Sequence, residues 1–166
     1  MSSRLLRTIA WWEIACGIAG IATFGALYLN LFPNSQAFLT AIGPINYYAG
    51  VAFFSFVIAA GRALLKSSPW GLGASCLCQA LQVVRFAILQ GPQVQIQAGP
   101  ILGIKISSNF VGLTAGFYSS FFLGTRISGP AFEMTVNILA AVWTVLLLRA
   151  WRQAHRSDSG RGLTSA

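Results

Sequence analysis

Four long apolar segments dominate the pattern of hydrophobic and polar positions along this chain. They cover approximately residues 9–31, 45–65, 71–89 and 130–148. Each has the length, about 20 residues, that a helix needs to cross the hydrocarbon core of a bilayer. The pattern therefore predicts four transmembrane helices.

The stretch between the third and fourth apolar segments, residues 91–129, follows a different pattern. Apolar residues alternate there with polar ones, in the order Gln93, Val94, Gln95, Ile96, Gln97 and Ala98, and a second alternating run covers residues 111–118. A period of two is typical of β-strands. Turns are predicted at Gly99–Pro100 and at residues 107–109. We therefore predict a small β-meander on the outer membrane surface, with a re-entrant or interfacial segment over residues 110–123 as the alternative.

Together these elements predict an all-α membrane protein, a four-transmembrane-helix bundle with a small extracytoplasmic β-rich segment between helices 3 and 4. Most of the 166 residues are used in crossing the bilayer, so we expect a single four-span membrane domain over residues 1–155. The polar residues 156–166 are predicted to form a disordered cytoplasmic tail.

Composition and charge fit this class of protein. Hydrophobic residues make up 55% of the chain and charged residues 8%, which is more apolar than a soluble domain. The net charge of +8 comes mainly from cations at the ends of the predicted spans, namely Arg4, Arg7, Arg62, Lys66, Arg149, Arg152, Arg156 and Arg161. Such cations collect on the cytoplasmic side of a membrane, so we expect both termini to be cytoplasmic, in a bacterial inner membrane. We therefore expect these cations to interact with the lipid bilayer, and we expect no binding of nucleic acid.

The number of spans also follows from the charges. A fifth span over residues 101–123 would move the Arg-rich C-terminus to the outside, against the charge bias. Small residues form a seam on one face of the first span, at Ala15, Ala19, Ala22 and Ala26. Such a seam predicts close packing against another helix.

Charged side chains inside the predicted spans are the candidates for a site. An arginine at bilayer depth is costly unless it is paired, and Arg85 in the third span matches Glu133 in depth. Gln82 lies on the same helical face as Arg85, and Asn137 on the same face as Glu133. These four residues predict a polar site for a small anion, a lipid headgroup or a proton step.

A second depth-matched pair is predicted on the cytoplasmic side. Glu13 in the first span lies at the depth of Arg62, and Arg149 is an alternative partner. Both predicted pairs have a purely structural interpretation as well, in which the charges and amides fix the register of neighbouring helices. The sequence leaves the two interpretations open.

Motifs for catalysis or for cofactor and metal binding do not occur in the sequence. Walker, dinucleotide-binding, zinc-protease and serine-hydrolase patterns are all missing, and there are three acidic residues. Cys76 and Cys78 would point to nearly opposite faces of a helix, and the one histidine, His155, lies in the basic tail. We therefore predict no catalytic residue, cofactor or metal, and no enzymatic activity.

Two functions fit these predictions. The first is a non-catalytic integral membrane subunit or accessory protein that docks on a larger membrane complex, with another membrane protein or a second copy of the chain as partner. Its basis is the apolar, weakly charged outer segment, which is a plausible contact surface. The alternative is a small transporter or a lipid- or solute-binding bundle that uses the polar site around Arg85 and Glu133.

Overall fold

The computed structural model describes residues 3–161, except for the side chains at residues 37, 38, 41 and 155–161. Its elements are, in chain order, α1 (Ser3–Tyr28), α2 (Ser35–Leu65), α3 (Pro69–Ala80), β1 (Val84–Ile88), β2 (Pro92–Ser107), β3 (Phe110–Thr125), β4 (Phe132–Asn137) and α4 (Ile138–Arg161). Helix α2 bends at Gly43, which has a φ of 71° and precedes Pro44. The last part of the predicted tail, residues 162–166, lies outside the described residues.

The prediction of an all-α four-helix bundle is wrong, because a four-stranded antiparallel sheet forms beside the helices. Within the described residues, two helices are long and apolar enough to span a membrane, Ser3–Tyr28 and Ile42–Leu65. Helix α3 has 12 residues, which at 1.5 Å per residue is about 18 Å, less than the about 30 Å of a bilayer core. Helix α4 starts at Ile138, later than the predicted fourth span.

The two wrong spans have the same physical cause. A short apolar run has the same hydrophobic pattern in a buried helix and in a buried strand. In the third predicted span, the β-branched and aromatic residues Val83, Val84 and Phe86 favour a strand, and residues 84–88 form β1. In the fourth, residues 132–137 form β4 and pair with β1. Each predicted span is therefore part strand and part helix.

The sheet has the strand order β1-β4-β2-β3, and β1 also pairs with β2. Because β1, β4 and β2 all pair with one another, these three strands form a closed circuit. Strands β2 and β3 form one long hairpin, with a tight turn at Ser108–Asn109. The turn predicted at Gly99–Pro100 is wrong, because β2 continues through both residues, with Gly99 at a φ of 139°.

The sheet packs along the side of the helix pair α1–α2, not beyond its ends as an outer layer would. Three contacts join the middle of β3 to these helices. The rings of Trp12 and Phe117 are 5.7 Å apart, Ser119 Oγ donates a hydrogen bond to the carbonyl oxygen of Cys16, and Phe121 stacks 5.5 Å from Phe53. Strand β3 therefore runs beside α1 over part of its length.

One hydrophobic cluster gathers one end of each of the four described helices. Its buried members are Ile9, Ala10, Leu64, Leu72 and Leu147, and Leu5, Leu6, Leu65 and Trp151 pack against it. The cluster brings the start of α1, the end of α2, the start of α3 and the basic half of α4 to one end of the molecule. A second cluster, centred on Phe54 and Val57, joins α1 and α2 to the sheet.

Candidate functional site

Polar and charged side chains line one face of the sheet. Directly opposed residues of antiparallel strands point to the same face, and Thr135 on β4 is opposed by Arg85 on β1 and by Lys105 on β2. Glu133 and Gln93 lie on the same face, because both are opposed by Ala87. The polar residues that alternate with apolar ones along these strands therefore lie together on one polar surface of the sheet.

Glu133 is the anionic centre of this surface. Its carboxylate forms ion pairs with Lys105 Nζ at 3.1 Å and with Arg126 Nη2 at 3.4 Å. Burial tends to raise the pKa of the Glu133 carboxyl group, but the hydrogen bond and charge of Lys105 and the charge of Arg126 outweigh it. The pKa of Glu133 is therefore lower than its ordinary value, and the group is a carboxylate at neutral pH.

Arg85 does not pair with Glu133, although both residues line the same cavity. Its guanidinium carbon lies 5.7 Å from the ring centroid of Tyr118, a cation–π contact. In the part of the chain that the structure describes, both ion pairs use Glu133 with other cations. The charge of Arg85 is therefore not neutralised by a carboxylate.

Thr135 is the one described residue with a buried side-chain polar atom that lacks a hydrogen-bond partner. The residue is 1% exposed, and its Oγ1 is the unpartnered atom. Leaving a buried hydroxyl group unsatisfied costs about 1–3 kcal/mol. Because Thr135 also lines the cavity, a ligand bound there could satisfy the hydroxyl group.

The polar face encloses a cavity of about 200 Å³, which we call the polar cavity. Its walls are formed by Arg85, Phe86, Ala87, Gln93, Val94, Gln95, Arg126, Glu133 and Thr135. A second cavity of about 570 Å³, the amphipathic cavity, has Gln93, Gln95 and Arg126 in its wall as well. The two cavities therefore adjoin.

The other wall of the amphipathic cavity is apolar and comes from the helix pair. Phe24 and Leu27 reach it from α1, and Ile42 reaches it from α2. Phe121 of β3 adds a fourth apolar side chain. This cavity thus has a polar side towards Arg126 and an apolar side towards the helices.

Glu13 lies elsewhere, buried between α1 and α3, and its partners differ from the predicted ones. Ser75 Oγ donates a hydrogen bond of 2.7 Å to Glu13 Oε2, and Gln79 Nε2 donates one of 3.0 Å to Oε1. Arg62 is exposed. The structure therefore satisfies Glu13 with two neutral donors from α3.

Gln82 and Asn137 support the backbone where β2 passes Gly99 and Pro100. Gln82 Oε1 accepts a hydrogen bond from the N–H of Ala98 at 2.9 Å, and Asn137 Nδ2 donates one to the carbonyl oxygen of Pro100 at 3.2 Å. Of the four residues predicted to form one polar site, Arg85 and Glu133 line the polar cavity, while Gln82 and Asn137 hold its supporting strand.

Sequence reasoning missed Lys105, Arg126 and Thr135. Lys105 alternates with the apolar residues Ile104 and Ile106 along β2, so the sequence pattern already indicated that it lies on the polar face. Arg126 follows the end of β3, and Thr135 was counted as part of an apolar helix. Thr135 joins the site through the pairing of β4 with β1 and β2, and Arg126 joins it through its bridge to Leu89 and its ion pair with Glu133.

The chemistry that this arrangement offers is anion binding. Lys105 and Arg126 pair with the one carboxylate, Glu133, while Arg85, two glutamine amides and the hydroxyl group of Thr135 line the same cavity as that carboxylate. Among the described residues, no three His, Cys, Asp or Glu side chains come together as metal ligands would. No protein-family model, curated protein or solved structure matches this chain.

Proposed function

We propose that this chain is a non-catalytic membrane protein that binds an amphiphilic ligand in the two adjoining cavities. The observation that carries the proposal is their shared wall of Gln93, Gln95 and Arg126. A polar head fits the polar cavity beside Arg85, and an apolar chain fits against Phe24 and Leu27. Binding sites of this kind combine an apolar lining with a few placed polar groups.

The membrane placement is part of the proposal. Helices α1 and α2 are the proposed spans, and the end of the molecule with Arg4, Arg7, Arg62 and Arg149 lies on the cytoplasmic side, as the positive-inside rule requires. Three tyrosines support the opposite boundary: the ring of Tyr47 contacts that of Tyr28 at 5.8 Å and meets that of Tyr48 edge to face at 5.4 Å, as in the aromatic belts at membrane interfaces. Both termini are then cytoplasmic, and the proposed location is a bacterial inner membrane.

Binding of single-chain amphiphiles to the purified protein tests this function. We would titrate three 16-carbon probes, monopalmitoylglycerol, lysophosphatidylcholine and lysophosphatidic acid, into protein held in nanodiscs, and measure saturable binding by native mass spectrometry. The proposal expects one bound molecule per chain for at least one probe. Absence of saturable binding by all three would overturn it.

A matched pair of variants locates the binding. Thr125 lines the amphipathic cavity and is exposed, so Thr125→Phe should fill the cavity without disturbing the core. Thr114 lies on the same strand outside both cavities, and Thr114→Phe is the control. Reduced probe binding by the first variant alone supports the proposed cavity, and equal binding by both contradicts it.

A second candidate function, docking in a membrane assembly, is favoured by the open edge of β3. Leu123 directs its N–H away from β2, to Asn46 Oδ1 at 2.8 Å. Because such directions alternate along a strand, Val111, Leu113 and Ala115 direct their backbone groups to the same open edge. The strand has no charged residue and no proline, the features that normally prevent strand addition.

We take a second copy of this chain as the occupant of that edge. Antiparallel self-pairing of β3 about a two-fold axis brings no like charges together, because the strand is uncharged. If α1 spans the membrane, the β3 edge beside it lies at bilayer depth, where unpaired backbone N–H and C=O groups are costly and need hydrogen-bond partners. The docking proposal thus takes the form of a dimer with a continuous sheet.

The oligomeric state in detergent tests the docking proposal. Wild-type protein should be dimeric by light scattering, and Ala115→Lys should be monomeric, because a charge on the edge blocks pairing. Thr40→Lys, on the exposed surface of α2, is the control and should remain dimeric. A monomeric wild-type protein would overturn the proposal.

A further inference from the structure

We infer that the polar cavity is a phosphate site in which Arg85 and Thr135 bind the phosphate group of an amphiphile. The inference rests on the proposed function and specifies the head group of its ligand. It starts from two neighbouring side chains, the guanidinium of Arg85, which contacts the ring of Tyr118 and is in neither ion pair of Glu133, and the unpartnered hydroxyl group of Thr135.

The two groups are positioned to act together. Arg85 and Thr135 are directly opposed on β1 and β4, which places their Cβ atoms about 4.5–5.5 Å apart on one face of the sheet. Both line the polar cavity. Guanidinium and hydroxyl donors converging on one space are a typical arrangement for an oxyanion.

The other charges of the site engage one another instead of Arg85. Glu133 engages Lys105 and Arg126, and Arg126 Nε also donates a hydrogen bond to the carbonyl oxygen of Ser128 at 2.8 Å. Glu133 therefore does not compete for Arg85. Glu133 also fixes Lys105 and Arg126 at the rim of the polar surface, where their charge still attracts an anion.

The charge balance favours a phosphate monoester over a singly charged head group. Two cations, Arg85 and Arg126, line the polar cavity together with the carboxylate of Glu133, and Lys105 pairs with that carboxylate from outside the lining. Counted together, these four groups leave an excess of two positive charges. A phosphate monoester carries roughly −1.5 to −2 charges at pH 7. Its charge therefore matches the excess more closely than a carboxylate does.

The space also fits a head group. About 200 Å³ is larger than the about 30 Å³ that one water molecule occupies in the liquid. The adjoining amphipathic cavity offers Leu27 and Ile42 to an attached apolar chain. Free phosphate has the same chemistry at the polar cavity, so the experiment separates these two sources.

Lysophosphatidic acid, monopalmitoylglycerol and inorganic phosphate are the three probes. The protein in nanodiscs of neutral phosphatidylcholine should bind lysophosphatidic acid at least about tenfold more tightly than monopalmitoylglycerol, because hydrogen bonds to charged groups are the stronger ones. Inorganic phosphate is then added as a competitor. Competition at millimolar concentration identifies the phosphate group alone as sufficient, whereas an unchanged affinity shows that the attached chain is required.

Two variants assign the binding residues. Arg85→Gln removes the cation, and Thr135→Val removes the hydroxyl group while keeping the shape of the side chain. Each should weaken lysophosphatidic acid binding about tenfold and leave monopalmitoylglycerol binding unchanged. Arg152→Gln, a loss of charge at the exposed basic end, is the control. Thr135→Val also removes an unsatisfied group, so its folding should be unimpaired.

The outcomes distinguish the head group from the function. Equal affinities for the charged and the uncharged lipid, with no effect of either variant, would overturn the phosphate site and leave amphiphile binding standing. If the protein binds inorganic phosphate but neither lipid probe, the phosphate site is supported and the proposed amphiphilic ligand is overturned. Absence of binding by all probes would overturn both.

Discussion

Gln82 and Ala98 join the end of α3 to the middle of β2: the Oε1 atom of Gln82 accepts a hydrogen bond of 2.9 Å from the backbone N–H of Ala98. The same oxygen lies 3.4 Å from the amide nitrogen of Gln97, and Gln82 Nε2 donates to the carbonyl oxygen of Cys78. This buried amide fixes β2 beside α3, and β2 carries Gln93 and Gln95 into the cavity walls.

Replacing Gln82 by Leu should therefore destabilise the protein. The backbone N–H of Ala98 would remain buried without its acceptor, which costs about 1–3 kcal/mol. The free energy of unfolding, measured by denaturant titration in mild detergent, should decrease by that amount. Gln36→Leu, on the exposed start of α2, is the control and should change it by less than about 0.5 kcal/mol. Equal effects of the two substitutions would contradict this role of Gln82.

The hydrogen bonds of Glu13 lead to a second prediction, because its partners are Ser75 and Gln79 and not the expected Arg62. Gln79→Leu should lower the free energy of unfolding by about 1–3 kcal/mol, since the buried carboxyl group of Glu13 loses one of two donors. Arg62→Leu, at an exposed position, should change it by less than about 0.5 kcal/mol. Chemical denaturation of both variants checks this. A larger loss for the Arg62 variant would show that Arg62 neutralises Glu13.

The two helices with the longest apolar runs could be predicted from sequence, because periodicity and length are sufficient for α1 and for the main part of α2. The alternating pattern of residues 93–98 and 111–118 likewise corresponds to β2 and β3. Strands β1 and β4 could not be predicted in this way. Their apolar runs continue directly into α3 and α4, and only the pairing between residues 84–88 and 132–136 defines them as strands.

Parts of the site were predictable for the same reason. Arg85 and Glu133 were chosen as costly charges in apolar segments, and both line the polar cavity. Their direct pairing did not follow, because depth along two predicted helices says nothing about strand register. The alanine seam of the first span also failed: Ala15 and Ala22 are exposed, and Gly17 and Gly20 pack against α2 instead.

The ion pairs of Glu133 predict a dependence of stability on pH. The pKa of Glu133 is lowered in the folded protein, so folding favours the deprotonated form. This contribution is complete above the unfolded value of about 4.3 and is lost as the pH falls through the lower folded pKa. The midpoint of thermal unfolding should therefore decrease in acid less steeply for Glu133→Gln than for the wild type. Parallel curves between pH 3 and pH 6 would contradict the assignment.

Two glycines of α1 provide a matched test of how closely α1 packs against α2. A Cβ atom at Gly17 would lie 2.5 Å from Ile58 Cγ1 and 2.8 Å from the carbonyl oxygen of Phe54, whereas one at Gly25 would meet nothing within 4 Å. Gly25→Ala should stabilise the helix by roughly 0.5–1 kcal/mol. Gly17→Ala gains the same propensity, but the added methyl group meets a backbone oxygen of α2 that has no freedom to rotate away.

Overpacking at such a position costs about 1–3 kcal/mol, so the net effect of Gly17→Ala should be a loss of stability. The two substitutions are chemically identical, and both lie within the same helix, so the helix propensity of alanine cancels in the comparison. Thermal unfolding in detergent should thus show opposite shifts, upward for Gly25→Ala and downward for Gly17→Ala. Upward shifts for both would mean that α1 and α2 do not approach each other closely at Gly17, so that the helix pair α1–α2, against which β3 packs, is more widely spaced there.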